Sequence, residues 1–364
     1  MSKLEELIEQ LCPNGVECVE LSNILTIRNG KDYKNFPEGK YPVYGTGGIM
    51  TYIDRFAYDK PSVLIPRKGS LDKLYYVEEP FWTVDTIFYT EIDTLVVLPK
   101  FVFYYLQMLH LETLNKAGGV PSLTQTVLNK ILIPLPPLPI QEEIVRILDI
   151  MTMLTAELTA ELTAELKARQ KQYEYYRDSL LSFEGKGEQD GVRWMKLGDV
   201  LTIKNGKDYK CFDSGDIPVY GTGGIMTYID TYAFDKPSVL IPRKGSLDKL
   251  YYVAEPFWTV DTIFYTDINC NLVIPKFVYY YLQTQHLENL NTAGGVPSLT
   301  QTVLNKVPMP VISLEEQQRI VDILDRFDKL CNDISEGLPA EIEARKKQYE
   351  YYRDKLLTFK EKEA

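Results

Sequence analysis

The chain of 364 residues repeats itself at an offset of 176. NGKDYK at Asn29 returns at Asn205, TYID at Thr51 returns at Thr227, GGVPSLTQTVLNK at Gly118 returns at Gly294, and KQYEYYRD at Lys171 returns at Lys347. No insertion or deletion is needed. Between Tyr41 and Ile92, aligned on Ile217 to Ile268, 46 of 52 positions are identical, so the two copies must share one fold. A period this long lies far outside the roughly 20 to 50 residues of a solenoid or propeller unit. Each copy is therefore a domain with an appendage, and the chain is a covalent pseudo-dimer.

Each copy opens with short runs rich in Tyr, Ile and Val, punctuated by Gly, Pro and Asp: LTIRNG, YPVYGTGG, MTYID, SVLIPRKGS, LYYV and FWTVDTIFYT. These read as strands and turns of a compact β-rich domain. A helix is expected from Pro99 to Asn115, with proline at its start and Gly118-Gly119 as its stop. His110 in this helix and His286 in its copy, in matching places among apolar neighbours, are expected to be buried. From Ile140 to Glu184 the sequence contains neither Gly nor Pro. A helix of that length reaches about 68 Å, which suits a spacer or coiled-coil arm. Three consecutive TAEL units from Thr155 to Leu166 each add about 6 Å to it. The second arm starts at the N-cap Ser313 and runs towards Phe359, with a break or kink expected at Gly337 and Pro339.

The expected class is α+β: two similar β-rich domains separated by two long helices that pair as an antiparallel coiled coil, with pseudo-twofold symmetry. The boundaries are a first domain over 1–138, a helical spacer over 139–184, a second domain over 185–312 and a C-terminal spacer over 313–364. Five scattered cysteines that do not recur between copies argue against a disulfide framework or a CxxC metal site. The longest apolar run, Ile131–Ile140, carries four prolines and is too short to span a bilayer, and no export segment is recognisable at the start; a cytoplasmic, membrane-free protein is expected.

A net charge of -11 seems to disfavour a nucleic-acid partner. Its distribution says otherwise. Residues 19–134 hold 12 Lys+Arg against 12 Asp+Glu and residues 195–310 hold 10 against 11, so 0 and -1 there leave -10 for the remainder. Two neutral blocks and an acidic remainder suit local contact with DNA and a protein partner elsewhere.

The order of a β-rich domain, the junction IPLPPLPIQEEIVRILD, a long helix ending in KQYEYYRDSLL, and the same again closely resembles type I restriction specificity subunits. The TAEL run and LCPNGVE near Leu11 strengthen the likeness, which covers essentially the whole chain. The second junction, VPMPVISLEEQQRIVDILD, departs from it by losing the PLPPLP form. The resemblance implies two target-recognition domains, each reading half of a bipartite site on double-stranded DNA, and helices that bind two modification (methyltransferase) subunits, which restriction subunits then join. The chain itself is expected to be non-catalytic and to hold no cofactor. It lacks an N-P-P-Y/F or D-P-P-Y/F tetrapeptide, a GxGxxG and a P-loop, so S-adenosylmethionine, ATP and Mg are expected in the partners.

Near-identical readers in opposite orientation predict a palindromic or nearly palindromic target. The candidate contacts are Asn29, Lys31, Tyr33 and Lys34, then Tyr44, Thr46 and Gly47, then Arg67, Lys68, Ser70 and Lys73, with Gln125. Their counterparts are Asn205, Lys207, Tyr209, Lys210, Tyr220, Thr222, Gly223, Arg243, Lys244, Ser246, Lys249 and Gln301. Arg can bond guanine bidentately, Asn and Gln suit adenine, and Lys, Ser, Thr and glycine-exposed amides suit phosphate. The plain alternatives are that GTGG is a tight hairpin turn, RKGS a solvated turn and the tyrosines core. Two other functions compete: a coiled-coil scaffold that binds no DNA, and a duplicated carbohydrate-active enzyme using paired acids such as Asp72 and Asp85.

Overall fold

The computed structural model describes residues 2–115, 120–291, 297–332 and 337–362. The chain folds as two units, Met1–Glu161 with Ile342–Ala364, and Leu162–Glu341. In chain order the first copy contributes α1 (Lys3–Leu11), β1 (Cys18–Glu20), β2 (Leu25–Asn29), β3 (Glu38–Gly45), β4 (Gly48–Ile53), β5 (Ser62–Pro66), β6 (Tyr75–Val77), β7 (Trp82–Thr83), β8 (Ile87–Ile92), α2 (Pro99–Met108), α3 (Gln125–Asn129), β9 (Leu132–Pro134) and α4 (Leu138–Leu180).

Three small sheets result. An antiparallel sheet has the order β2-β8-β5-β6, a second the order β4-β3-β7 with β3 and β7 parallel, and β1 pairs with β9. Strand β2 alternates, Leu25 and Ile27 inward and Thr26 and Arg28 outward, as a half-buried strand must. Strand β5 is buried at every residue, which is why SVLIP is a continuous apolar run rather than an alternating one. Its ladder to β8 spans only Ile65↔Phe88 and Pro66↔Ile87. Beyond that, buried hydroxyls take over: Ser62 Oγ donates to Thr90 O at 2.7 Å, and Val63 N donates to Thr90 Oγ1 at 2.9 Å. The Val63 amide thereby keeps a partner inside the core. Ser238 and Thr266 repeat the arrangement at 2.8 and 2.9 Å, and the second copy repeats all three sheets.

Helix α2 ends at Met108, short of the expected Asn115, and a 3-10 turn follows over Leu111–Leu114. The reason is His110, which adopts the left-handed conformation (φ 48°) that terminates helices. The expectation of buried histidines is thereby corrected. His110 and His286 (φ 44°) turn outward, 3.3 Å from Glu112 and 3.1 Å from Glu288. The expected stop at Gly118-Gly119 lies outside the described residues.

Helix α4 has 43 residues, beginning two residues before the expected Ile140 and ending four before Glu184. Pro139 fits its first turn, where an amide hydrogen would have no helical partner. The second arm is two helices, Leu314–Asn332 and Leu338–Leu357, with Gly337 and Pro339 at the junction. Ser313 Oγ caps the first, accepting from Glu316 N at 3.3 Å.

In the first unit the leading part of α4 packs against Leu338–Leu357. The two run in opposite directions: Thr152 Oγ1 meets Tyr349 OH at 2.9 Å, while the earlier Ile144 and Leu148 share a core with the later Leu357. In the second unit the trailing part of α4 packs on Leu314–Asn332, Tyr176 stacking on Phe327 with ring centroids 5.6 Å apart and Tyr173 sharing a core with Ile320 and Leu324. Each unit thus completes its helix pair with a segment from the other sequence copy. The chain's two ends also meet within the first unit. Val16 N donates to Lys360 O at 2.8 Å and Lys362 N to Val16 O at 3.1 Å. A β-carbon on Gly15 would sit 2.7 Å from Lys360 O, so only glycine permits this closure.

Candidate nucleic-acid interface

The hub of the site is the segment Trp82–Thr86, between β7 and β8. Lys31 N donates to Thr83 O at 2.8 Å, and the Trp82 indole donates to Lys31 O at 2.9 Å, pinning the Asn29–Lys34 loop from both sides. Gly30 sits so close that a β-carbon would lie 2.0 Å from Val84 O. Val84 N donates to Tyr44 O at 3.0 Å, which brings in the Tyr44–Gly48 turn. Arg67 N and Lys68 N donate to Thr86 O at 2.9 and 3.3 Å, and Arg67 Nη1 donates to Asp85 O at 3.2 Å.

The turn and the RKGS loop are also tied to each other. Thr46 Oγ1 lies 3.0 Å from Lys68 O and 2.9 Å from Thr86 O, and Tyr75 OH donates to Thr46 O at 3.0 Å. Thr46 therefore holds the loops in place rather than presenting a free hydroxyl. The segment before α3 joins from the other side: Leu123 N donates to Arg67 O at 2.9 Å and Gly69 N to Pro121 O at 3.1 Å. Gln125 Nε2 donates to Ile27 O at 3.1 Å, beside the start of the first loop.

Five segments far apart in sequence thus form one patch. Asn29, Lys31, Lys34, Gly47, Lys68, Ser70 and Lys73 are exposed on it. Gly47 has open space where a side chain would begin. The tyrosines divide differently. Tyr33 packs on the Val43, Ile53, Trp82 and Val84 cluster, and Tyr44 is half-buried with ring centroids 5.8 Å from Tyr75 and 6.3 Å from Phe81. Burial pushes the Tyr44 phenol above its ordinary pKa. Both rings pack on the apolar clusters beneath the patch and keep part of their surface exposed.

The second copy reproduces the network almost atom for atom. Lys207 N reaches Thr259 O at 2.8 Å, Val260 N reaches Tyr220 O at 3.0 Å, and Arg243 N reaches Thr262 O at 2.9 Å. Thr222 Oγ1 lies 3.0 Å from both Lys244 O and Thr262 O. Asn205, Lys207, Lys210, Gly223, Lys244, Ser246 and Lys249 are exposed and Tyr209 half-buried, as their counterparts are. One detail differs: Gln301 Nε2 lies 3.4 Å from Asn205 Oδ1. Thr83, Thr86 and Ser122, the last bridging to Lys68, were not singled out from sequence. The identity of FWTVDT in both copies was the available signal.

The two acids named for the enzyme alternative have different surroundings. Asp85 lies 3.9 Å from Lys68 Nζ on the loop patch, whereas Asp72 lines a separate groove with His110, Glu112 and Arg353.

A duplicated α+β domain, each copy of which gathers its polar loops into a hydrogen-bonded patch and continues into a helical arm, defines a tandem recognition protein. The chain belongs to the family of the type I restriction modification DNA specificity domain, which matches it twice, over residues 13–168 and 189–344. It is 35% identical over 350 residues to a Haemophilus influenzae protein described as a type I restriction enzyme specificity subunit, covering 88% of this chain and 89% of that one. It is also 35% identical over 308 residues to the EcoR124I/EcoR124II specificity subunit of Escherichia coli, covering 74% and 73%. Among solved structures, a chain from a type I restriction-modification system studied for its assembly and conformational transition superposes with a TM-score of 0.63 at 18% identity, covering 95% and 98%. The S subunit from Thermoanaerobacter tengcongensis gives 0.53 at 17%, covering 95% and 97%. These two establish likeness of fold. Among the described residues no helix is long and apolar enough to cross a membrane.

Proposed function

We propose that each β-rich domain reads one half of a bipartite site on double-stranded DNA, and that the helices dock two methyltransferase subunits, which restriction subunits join. The observation that carries this is the patch around Trp82–Thr86 and its copy around Trp258–Thr262, which hold the same exposed Lys, Asn, Ser and glycine amides on the same frame. Lysines and open amides suit phosphates, while Arg67, Asn29 and Gln125 have the donors and acceptors that read base edges. Because the two frames are alike, the half-sites are alike, and the target is a palindrome interrupted by unread base pairs. The chain performs no chemistry. S-adenosylmethionine, ATP and Mg act in the partner subunits, and the assembly works in the cytoplasm.

Single-molecule sequencing of methylated bases, in a host carrying the cognate modification subunit with and without this gene, tests the reading. A gene-dependent, interrupted palindrome is expected. An asymmetric motif would refute the equivalence of the two readers, and the absence of any gene-dependent motif would refute DNA reading altogether.

A further inference from the structure

The differences between the two copies are not scattered over the candidate interface. Residues 29–34, 42–54, 59–77, 79–90 and 121–130 match their counterparts without exception. Around the β4-β3-β7 sheet the copies diverge in one place: KNFPEGKY at 34–41 against KCFDSGDI at 210–217, and Arg55-Phe56 against Thr231-Tyr232.

Those two segments form a single surface in the first unit. Asp54 N donates to Pro37 O at 3.1 Å, Tyr41 and Phe56 meet edge to face at 5.2 Å, and the Arg55 guanidinium lies 4.5 Å from the centre of the Phe36 ring. This surface continues into the loop patch, because Phe36 packs 5.0 Å from Trp82, the ring that holds Lys31. Phe212 and Trp258 repeat that link at 4.7 Å. The charges differ sharply. Glu38, Lys40, Asp54 and Arg55 sum to 0 in the first copy, whereas Asp213, Asp216 and Asp230 sum to -3 in the second. Lys40 and Arg55 are exposed, and the Arg55–Asp54 pair at 3.1 Å is a surface pair that costs little to exchange for a phosphate.

We propose that the two readers recognise the same bases but hold the flanking backbone unequally, with Lys40 and Arg55 contacting phosphates beside the first half-site and Asp213 and Asp216 denying such contacts beside the second. The inference rests on the DNA-reading function above and adds a built-in polarity to an otherwise symmetric complex. The candidate reading loops are identical in the two copies, while the one surface that adjoins them goes from a sum of 0 to -3.

The test uses the full chain assembled with its modification subunits and a fluorescent duplex carrying the methylation-mapped motif. Two double variants exchange the surface: Lys40→Asp with Arg55→Thr, and Asp216→Lys with Thr231→Arg. Each phosphate contact adds about 0.9 to the slope of log affinity against log salt. The first pair should lower the slope by about 1 to 2, the second should raise it by a similar amount, and the mapped motif should not change. Unchanged slopes in both, a changed motif, or lost assembly with an unchanged slope would each overturn the inference. Because the variants lie in different units, a folding failure in one leaves the other decisive. If the unaltered complex does not prefer the mapped duplex over a scrambled one, DNA reading itself has failed; if it does and the slopes stay put, only the polarity has.

Discussion

The Leu98 amide donates a 2.8 Å hydrogen bond to Gln141 Oε1, joining the start of α2 to the first turns of α4. Leu98 is the N-cap residue of α2 and has no side-chain cap of its own, so the amide would otherwise be one of the helix's orphan donors. Gln141 Nε2 donates in turn to Pro136 O at 2.7 Å and Val96 O at 3.1 Å, and the whole side chain is buried. Gln317 repeats all three bonds, with Ile274 N at 2.8 Å and with Leu272 O and Ile312 O at 2.9 Å. One glutamine per copy fixes the recognition domain to its own arm.

Replacing Gln141 by Leu takes the partner from three backbone groups, of which the Pro136 carbonyl is buried and the other two partly so; a fully buried group left unpaired costs about 1 to 3 kcal/mol. A net loss of about 2 to 4 kcal/mol in the first unit is expected, read as a shift of one transition in chemical denaturation. Gln141→Glu keeps the acceptor but turns a buried carboxylate oxygen towards the Val96 and Pro136 carbonyls, and should be at least as destabilised as Gln141→Leu at neutral pH.

Gly30 and Gly47 should respond oppositely to the same change. Gly30→Ala places a methyl group 2.0 Å from Val84 O and must displace the Asn29–Lys34 loop, whereas Gly47→Ala meets nothing within 4 Å. The first is expected to cost at least about 2 kcal/mol of stability and to weaken DNA binding. The second should stay within about 0.5 kcal/mol, its effect confined to affinity. Melting curves and gel-shift titrations of the two variants side by side decide the matter.

Thr46→Val removes the hydroxyl that ties the turn to both Lys68 and Thr86. The stability cost is about 1 to 2 kcal/mol. Affinity should fall by more than that figure converts to, since two contact loops lose their shared anchor. Equal losses would mean that the turn plays no part in binding.

Glu143 is held at a pKa of about 2 by the Arg146 guanidinium and then the Lys3 ammonium, at 2.6 and 2.9 Å. A carboxylate with a depressed folded-state pKa stabilises the fold above its unfolded value and loses that contribution as pH falls towards the folded one. Stability should therefore decline from about pH 4.5 towards pH 2. Glu143→Gln should flatten that part of the profile in acid unfolding followed by circular dichroism, while lowering stability at neutral pH.

Deleting Thr155–Leu158 removes one TAEL unit, about 6 Å of helix, against about 3.4 Å per base pair of duplex. The expected outcome is a methylated motif whose unread interval shortens by one or two base pairs, or no motif at all. An unchanged interval in the methylation map would separate spacing from arm length.

The sequence alone determined that one fold occurs twice, that its first part is β-rich with Gly-, Lys- and Arg-bearing loops, and that each copy ends in a long helix broken only in the second. These follow from local chemistry: alternation in β2, the unbroken apolar SVLIP, the run without Gly or Pro, and Gly337 with Pro339. It misjudged His110, because a left-handed helix terminator other than glycine carries no strong local signal. Only the tertiary structure decided which loops meet. Lys31, Tyr44, Arg67 and Leu123 converge on Trp82–Thr86 or on one another through backbone carbonyls and amides, which no motif marks, and the Thr46 hydroxyl meets its two carbonyls only once the chain is folded. It also decided that each unit takes the second half of its helix pair from the other copy. A half-arm buries its apolar stripe only against a packed partner, and in this chain that partner lies in the other repeat and runs the opposite way.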